Sequence, residues 1–201
     1  MFLVRSTILA GALSAAVAST ASATLIQMSY TGTGTGTLNG VSFLNKAFTI
    51  TALADTANIG TFGIEKYNAH TSTTFTIAGV GSGSIATTLY TISVGDFPRT
   101  LDLSTATNSD SGNKLFGLDW MPFMGDAWNM QTTFSMNTGS FSYPGGTLPK
   151  LSTSAGNLKF SSFFTGAGAG TFSAVLNPVP APGAAALIGL VGAVGARRRR
   201  A

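Results

Sequence analysis

The 201-residue chain carries eleven Lys/Arg against seven Asp/Glu, one histidine and no cysteine. The lack of cysteine excludes disulfides, thiolate metal centres and cysteine nucleophiles, and a lone His70 excludes multi-histidine metal sites. Arg5 and Arg197 to Arg200 supply five of the eleven cations, so the rest of the chain is near neutral, and its Lys46, Lys66, Arg99, Lys114, Lys150 and Lys159 stand singly; a nucleic-acid partner, which needs basic charge gathered on a folded domain, is not expected.

Residues 1–23 read as a signal peptide. Arg5 precedes an apolar run through Ile8, Leu9, Leu13 and Val17, and the segment closes on Ala21-Ser22-Ala23, an A-x-A site that places cleavage after Ala23. The body that follows, about 154 residues from 24 to 177, is long enough to bury roughly two thirds of its unfolded surface, so one domain without covalent staples is the natural reading.

That body reads as all-β. QMSYT, KAFTITAL, TTFTIAGV, TTLYTISV, KLFGLDW, NLKFSSFF and GTFSAVL show period-two alternation or enrichment in Thr, aromatic and β-branched residues. In KAFTITAL, Phe48, Ile50 and Ala52 face one way and Ala47, Thr49 and Thr51 the other. TGTGTG, NSDSGN and YPGG are read as turns, and helix is confined to at most one turn near Pro122 to Asn129. The spacing predicts a single antiparallel β-sandwich, jelly-roll-like.

Two glycine runs invite a phosphate-binding reading and fail it. Gly32 to Gly36 lacks the Lys and Ser/Thr of a P-loop, and Gly81-Ser82-Gly83-Ser84-Ile85-Ala86 is followed by strand-like sequence where a dinucleotide fold needs a helix; a turn between strands is the better reading. His70, in EKYNAHTSTT, is expected on a polar surface loop, with no G-x-S-x-G elbow to support a triad. No metal site or cofactor is expected, since the acidic residues are single and NSDSGN lacks the spaced carboxylates of a calcium loop.

The densest chemistry is GLDWMPFMGDAWNM, with Trp120, Trp128, Asp119 and Asp126 as candidate glycan contacts. Aromatic platforms and paired carboxylates suit sugars. The preferred reading is that Trp120, Met121, Phe123, Met124 and Trp128 plug an open end of the sandwich while the aspartates cap a turn.

The chain ends in Val179-Pro180-Ala181-Pro182, then 14 uncharged residues from Gly183 to Ala196, then Arg197, Arg198, Arg199 and Arg200. As a helix those 14 residues span about 21 Å against a hydrocarbon core of about 30 Å, a short span that extension towards Val179 and arginine snorkelling lengthen. The arginines orient it, holding their end on the cytoplasmic side and the body outside. This order resembles the PEP-CTERM protein-sorting signal, in which a Val-Pro-Glu-Pro type motif precedes a short transmembrane helix and a basic end. Ala181 stands where that family usually has Glu, which bears on the exosortase subtype that accepts it. The stretch TLIQMSYTGTGTGTLNGVSFLNKAFTITALADT also resembles the start of the body in other PEP-CTERM proteins. The resemblance covers residues 178–201 and implies an exosortase partner, a transient inner-membrane anchor and a Gram-negative host that makes exopolysaccharide. The expectation is an exported surface or matrix-associated structural protein, not an enzyme; the alternatives are a lectin-like glycan-binding module and a glycan hydrolase.

Overall fold

In a computed structural model, residues 24–95, 99–107, 113–120, 128–142, 148–163 and 170–178 are described, and they fall within one unit, Ala23–Val179. The signal peptide with Ala21 and its cleavage site, the sorting motif Val179 to Pro182, the apolar stretch and Arg197 to Arg200 lie outside the described residues. Among the described residues no helix is long and apolar enough to cross a membrane.

The described residues are antiparallel β, with one 3-10 turn among them at Thr56–Asn58. β1 (Thr24–Leu38) and β2 (Val41–Asp55) form a long hairpin closed by Asn39-Gly40, whose φ values of 48° and 83° fit the two-residue turn that Asn-Gly favours. β3 (Gly60–Phe62), β4 (Glu65–Ile77), β5 (Gly81–Ser84), β6 (Tyr90–Ser93), β7 (Arg99–Ser104) and β8 (Lys114–Trp120) follow. β9 (Phe134–Ser142), β10 (Leu151–Thr153), β11 (Gly156–Phe163) and β12 (Gly170–Pro178) complete the sheet.

Neighbours run β10-β11-β1-β12-β9-β8-β7-β6-β4-β2, and β2 also pairs with β1, so the sheet curls back on itself as a half-barrel. The all-β, antiparallel expectation holds, and the two walls are continuous with one another. β4 is the reason. Its first half pairs with β3 and β6, its second with β2 and β5, and a bulge at Thr71, where Leu53 faces Ser72 but Ala54 faces His70, bends it from one wall to the other.

TGTGTG is not a turn. Gly32, Gly34 and Gly36 continue the inward-facing row of Ile26, Met28 and Tyr30 in β1, with threonines alternating on the other face. A Cβ at Gly34 would lie 3.1 Å from the Phe160 ring, and one at Gly36 would lie 2.9 Å from Phe43 and 2.2 Å from the Lys159 carbonyl. The glycines make room for rings arriving from β2 and β11. Those rings, with Tyr30, Phe48, Phe116 and Phe172, form the aromatic centre of the core: Tyr30 meets Phe172 edge-on at 4.8 Å, and Phe48 meets Phe160 at 5.1 Å. Gly81–Ser84 is likewise a strand, β5, paired with β4, and the turn precedes it.

Candidate functional site

Among the described residues, the β1–β2 hairpin carries two clefts that could take a ligand. Gly34 pairs with Lys46 but Gly36 with Phe43, so Leu44 and Asn45 bulge out of β2 opposite Thr35. Asn45 takes a positive φ of 47°, and its backbone N–H donates to Thr35 Oγ1 at 3.1 Å. The bulge sorts three apolar side chains. Phe43 turns under Gly36 to pack edge-on against Phe160 and is buried, whereas Leu44 and Val41 are 69% and 66% exposed.

Two clefts flank this arm. One, of about 430 Å³, includes Thr35, Thr37, Ser42, Leu44, Lys159 and Ser161 in its lining; the other, of about 670 Å³, includes Asn39, Val41, Leu44, Lys46, Val80 and Ala155. Lys46 and Lys159 are exposed, and Lys150, beside the Leu151–Leu158 pair, adds a third exposed cation at this end. No acidic residue lines either cleft among the described residues. Apolar side chains, hydroxyls and lysines together suit an anionic chain molecule with apolar faces. None of these residues stood among the candidate site residues of the sequence. Its signals were Asn39-Gly40 and the alternation that breaks at Leu44-Asn45.

His70 is buried in strand β4, not placed on a surface loop. Its Nδ1 hydrogen-bonds with Thr73 Oγ1 at 3.0 Å, a contact that the Thr71 bulge allows by turning both side chains inward. Its Nε2 hydrogen-bonds with Thr91 Oγ1 at 2.8 Å, and Thr91 in turn with Tyr30 Oη at 2.7 Å. Burial lowers the His70 pKa from 6.5 to about 3 and drives that of Tyr30 up. A base and a hydroxyl thus stand at hydrogen-bond distance, with Thr91 fully buried.

Of the candidate glycan contacts, Trp128 is 5% exposed and belongs to the core. Its ring stacks on Phe134 at 5.4 Å, and its Nε1 donates to the Thr132 carbonyl at 3.0 Å. The turn beside it is capped by Asn129, whose side-chain oxygen accepts from the Gln131 N–H at 2.9 Å. Asp119 and Trp120 pair with Thr100 and Arg99 in the β7–β8 ladder, but their side chains, and the whole of Asp126, lie outside the described residues. Among the described residues no group of three His, Cys, Asp or Glu could hold a metal.

The chain matches no family model, and no curated protein and no solved structure proves similar to it.

Proposed function

We propose that the protein is an exported surface or matrix-associated structural protein, sorted through its C-terminal Val179 to Arg200 segment by an exosortase, whose body holds exopolysaccharide through the β1–β2 hairpin and has no catalytic role. One observation carries the reading: Thr24 pairs with Pro178, so the chain enters and leaves the sheet side by side, at the end remote from the Asn39-Gly40 turn. A body held by that end offers the hairpin, with its clefts and lysines, at the other. A lectin-like variant of the same reading is favoured by the clefts themselves, and places the glycan on Lys46, Lys159 and Leu44 in preference to the tryptophans.

Two expected outcomes test it. Removal of Arg197 to Arg200 should let the precursor slip past the membrane or alter its processing while the body still folds, as seen by cell fractionation with body-specific and tail-specific antibodies. A mature protein that keeps its arginines in a soluble periplasmic pool would sink the sorting assignment. Reversal of two charges, Lys46→Glu with Lys159→Glu, should abolish most retention on the host's acidic exopolysaccharide with stability nearly unchanged. Wild-type retention should also weaken as salt rises, because exposed charges more than about 8 Å apart are screened at physiological ionic strength. Retention that survives the double reversal would move the contact elsewhere.

A further inference from the structure

Asp102 and Lys114 stand apart from the core and from the hairpin clefts. Asp102 lies on β7 and Lys114 at the start of β8, and the Lys114 Nζ is 2.9 Å from Asp102 Oδ1. The carboxylate side chain is 1% exposed and the lysine side chain 14%. Their meeting depends on one glycine. Asp102 pairs with Gly117, and a Cβ there would lie 2.3 Å from Asp102 Oδ1 and 2.6 Å from Lys114 Nζ. The lysine side chain therefore lies back across Gly117 to reach the acid. The neighbour on the other side, in register on β6, is the fully buried Ile92. The charge of Glu65, at the start of β4, acts in the same direction as burial on the Asp102 carboxyl.

A buried ion pair is costly, since desolvation of two charges offsets most of their attraction. Here burial pushes the Asp102 carboxyl up, against the pull of the Lys114 ammonium. A proton passing from Nζ to the carboxylate removes both charges and leaves an amine lone pair beside a carboxylic acid. In water this pair stays ionised and does not condense. In a dry, fixed geometry the opposing solvation is gone, and the effective concentration of the two groups reaches about 10⁵–10⁸ M.

From this geometry we infer that Lys114 and Asp102 are joined by an intramolecular isopeptide bond that the folded protein forms without help. The neutral Nζ adds to the Asp102 Cγ, forming the C–N bond as the C=O electron pair moves to oxygen. One of the two protons on the nitrogen passes to the departing hydroxyl as the electron pair on oxygen restores the C=O. The C–O bond breaks and one water leaves, so ammonium plus carboxylate become amide plus water, with nothing oxidised or reduced. The product is neutral and stays buried. It joins β7 to β8 across the residues between them, a covalent tie in a chain that has no cysteine. The inference is independent of whether the hairpin binds polysaccharide.

Mass spectrometry of the folded, purified full chain tests it, with the expected mass taken from whichever termini peptide mapping finds. The wild type should weigh one water less than its sequence, and trypsin should fail to cut after Lys114, leaving a peptide in which Asp102 and Lys114 are linked. Lys114→Arg should restore the full mass. Asp102→Asn should reach the same product as the wild type, losing ammonia in place of water. A folded wild type of full mass that trypsin cuts after Lys114 would overturn the inference and leave an ion pair. A water loss that persists in Lys114→Arg would also overturn it, because it would mark a succinimide.

Discussion

Lowering the pH from 7 to 4 is expected to cost the wild-type body on the order of 3 kcal/mol through His70 alone, at about 1.4 kcal/mol per pH unit. The sign follows from where the proton binds. Burial among Tyr30, Thr73 and Thr91 brings the folded pKa to about 3, while the unfolded ring titrates near 6.5. Between those values the unfolded chain holds a proton that the folded one does not, so stability is full above the unfolded pKa and falls as the pH falls. Below about 3 both states are protonated and the slope ends. Both ring nitrogens already have hydroxyl partners, so the penalty is desolvation of the imidazolium and not a lost hydrogen bond. An Asp102 not joined to Lys114 works in the opposite sense, because its raised pKa makes the folded state take up its proton first, whereas the linked amide does not titrate. His70→Gln separates the two: chemical denaturation over a pH series should show the gap between wild type and variant shrinking by about that amount as the pH falls. Parallel curves would mean that the ring is in contact with solvent. Domains of this size are stable by about 5–15 kcal/mol, so the effect is large enough to set the acid limit of the fold.

The fold was legible where one face of a strand is apolar and the other polar. KAFTITAL alternates as its residues do in the sheet, with Phe48, Ile50 and Ala52 buried. QMSYT and GTFSAVL lie in β1 and β12 for the same reason, whereas KLFGLDW forms β8 with Leu115, Phe116 and Leu118 buried on both of its faces. TGTGTG was misread because glycine signals a turn locally, while here it is the inward half of a period-two pattern whose missing side chains admit Phe43 and Phe160 from elsewhere in the chain. No local rule contains that information. The curl was hidden similarly. It depends on β4 changing partners at Thr71, and a bulge residue carries no composition of its own.

The candidate sites were legible only in part. His70 sits among polar neighbours, which reads as a loop, but the polar residues at 68, 70 and 73 are the buried ones and those at 71 and 72 face out. An inward polar row imitates an outward one when the partners that satisfy it, Thr91 and Tyr30, are distant in sequence. The Asp102–Lys114 pair escaped for the same reason, since neither residue has a motif around it and Gly117 acquires its meaning from the register. By contrast, the Asn39-Gly40 turn that shapes the hairpin was written in the sequence as the strongest short-range hairpin signal there is.

Trp128→Ala should cost roughly 3–5 kcal/mol of folding stability, as truncation of a buried aromatic does, and should leave polysaccharide retention by the folded variant intact. The indole is 5% exposed, stacked on Phe134 with 26° between the ring planes, and edge-on to Phe172 at 5.5 Å. Phe172 is itself edge-on to Tyr30, so the ring at 128 is joined through two contacts to the centre of the core. Its N–H is spent on the Thr132 carbonyl, which fixes the turn that follows and leaves no polar edge for a sugar. The next side chain inward, Met130, is fully buried at a positive φ of 60°, a backbone state that the surrounding packing has to hold. Removal of the indole therefore empties a volume that nearby strands cannot close and loosens the turn that seats Met130. Trp128→Phe should fall between, keeping the stacked ring and losing the hydrogen bond. Chemical denaturation and a polysaccharide pull-down on the same samples decide the matter. A stable Trp128→Ala that no longer binds would return the glycan contact to the tryptophan segment and take it from Lys46 and Lys159.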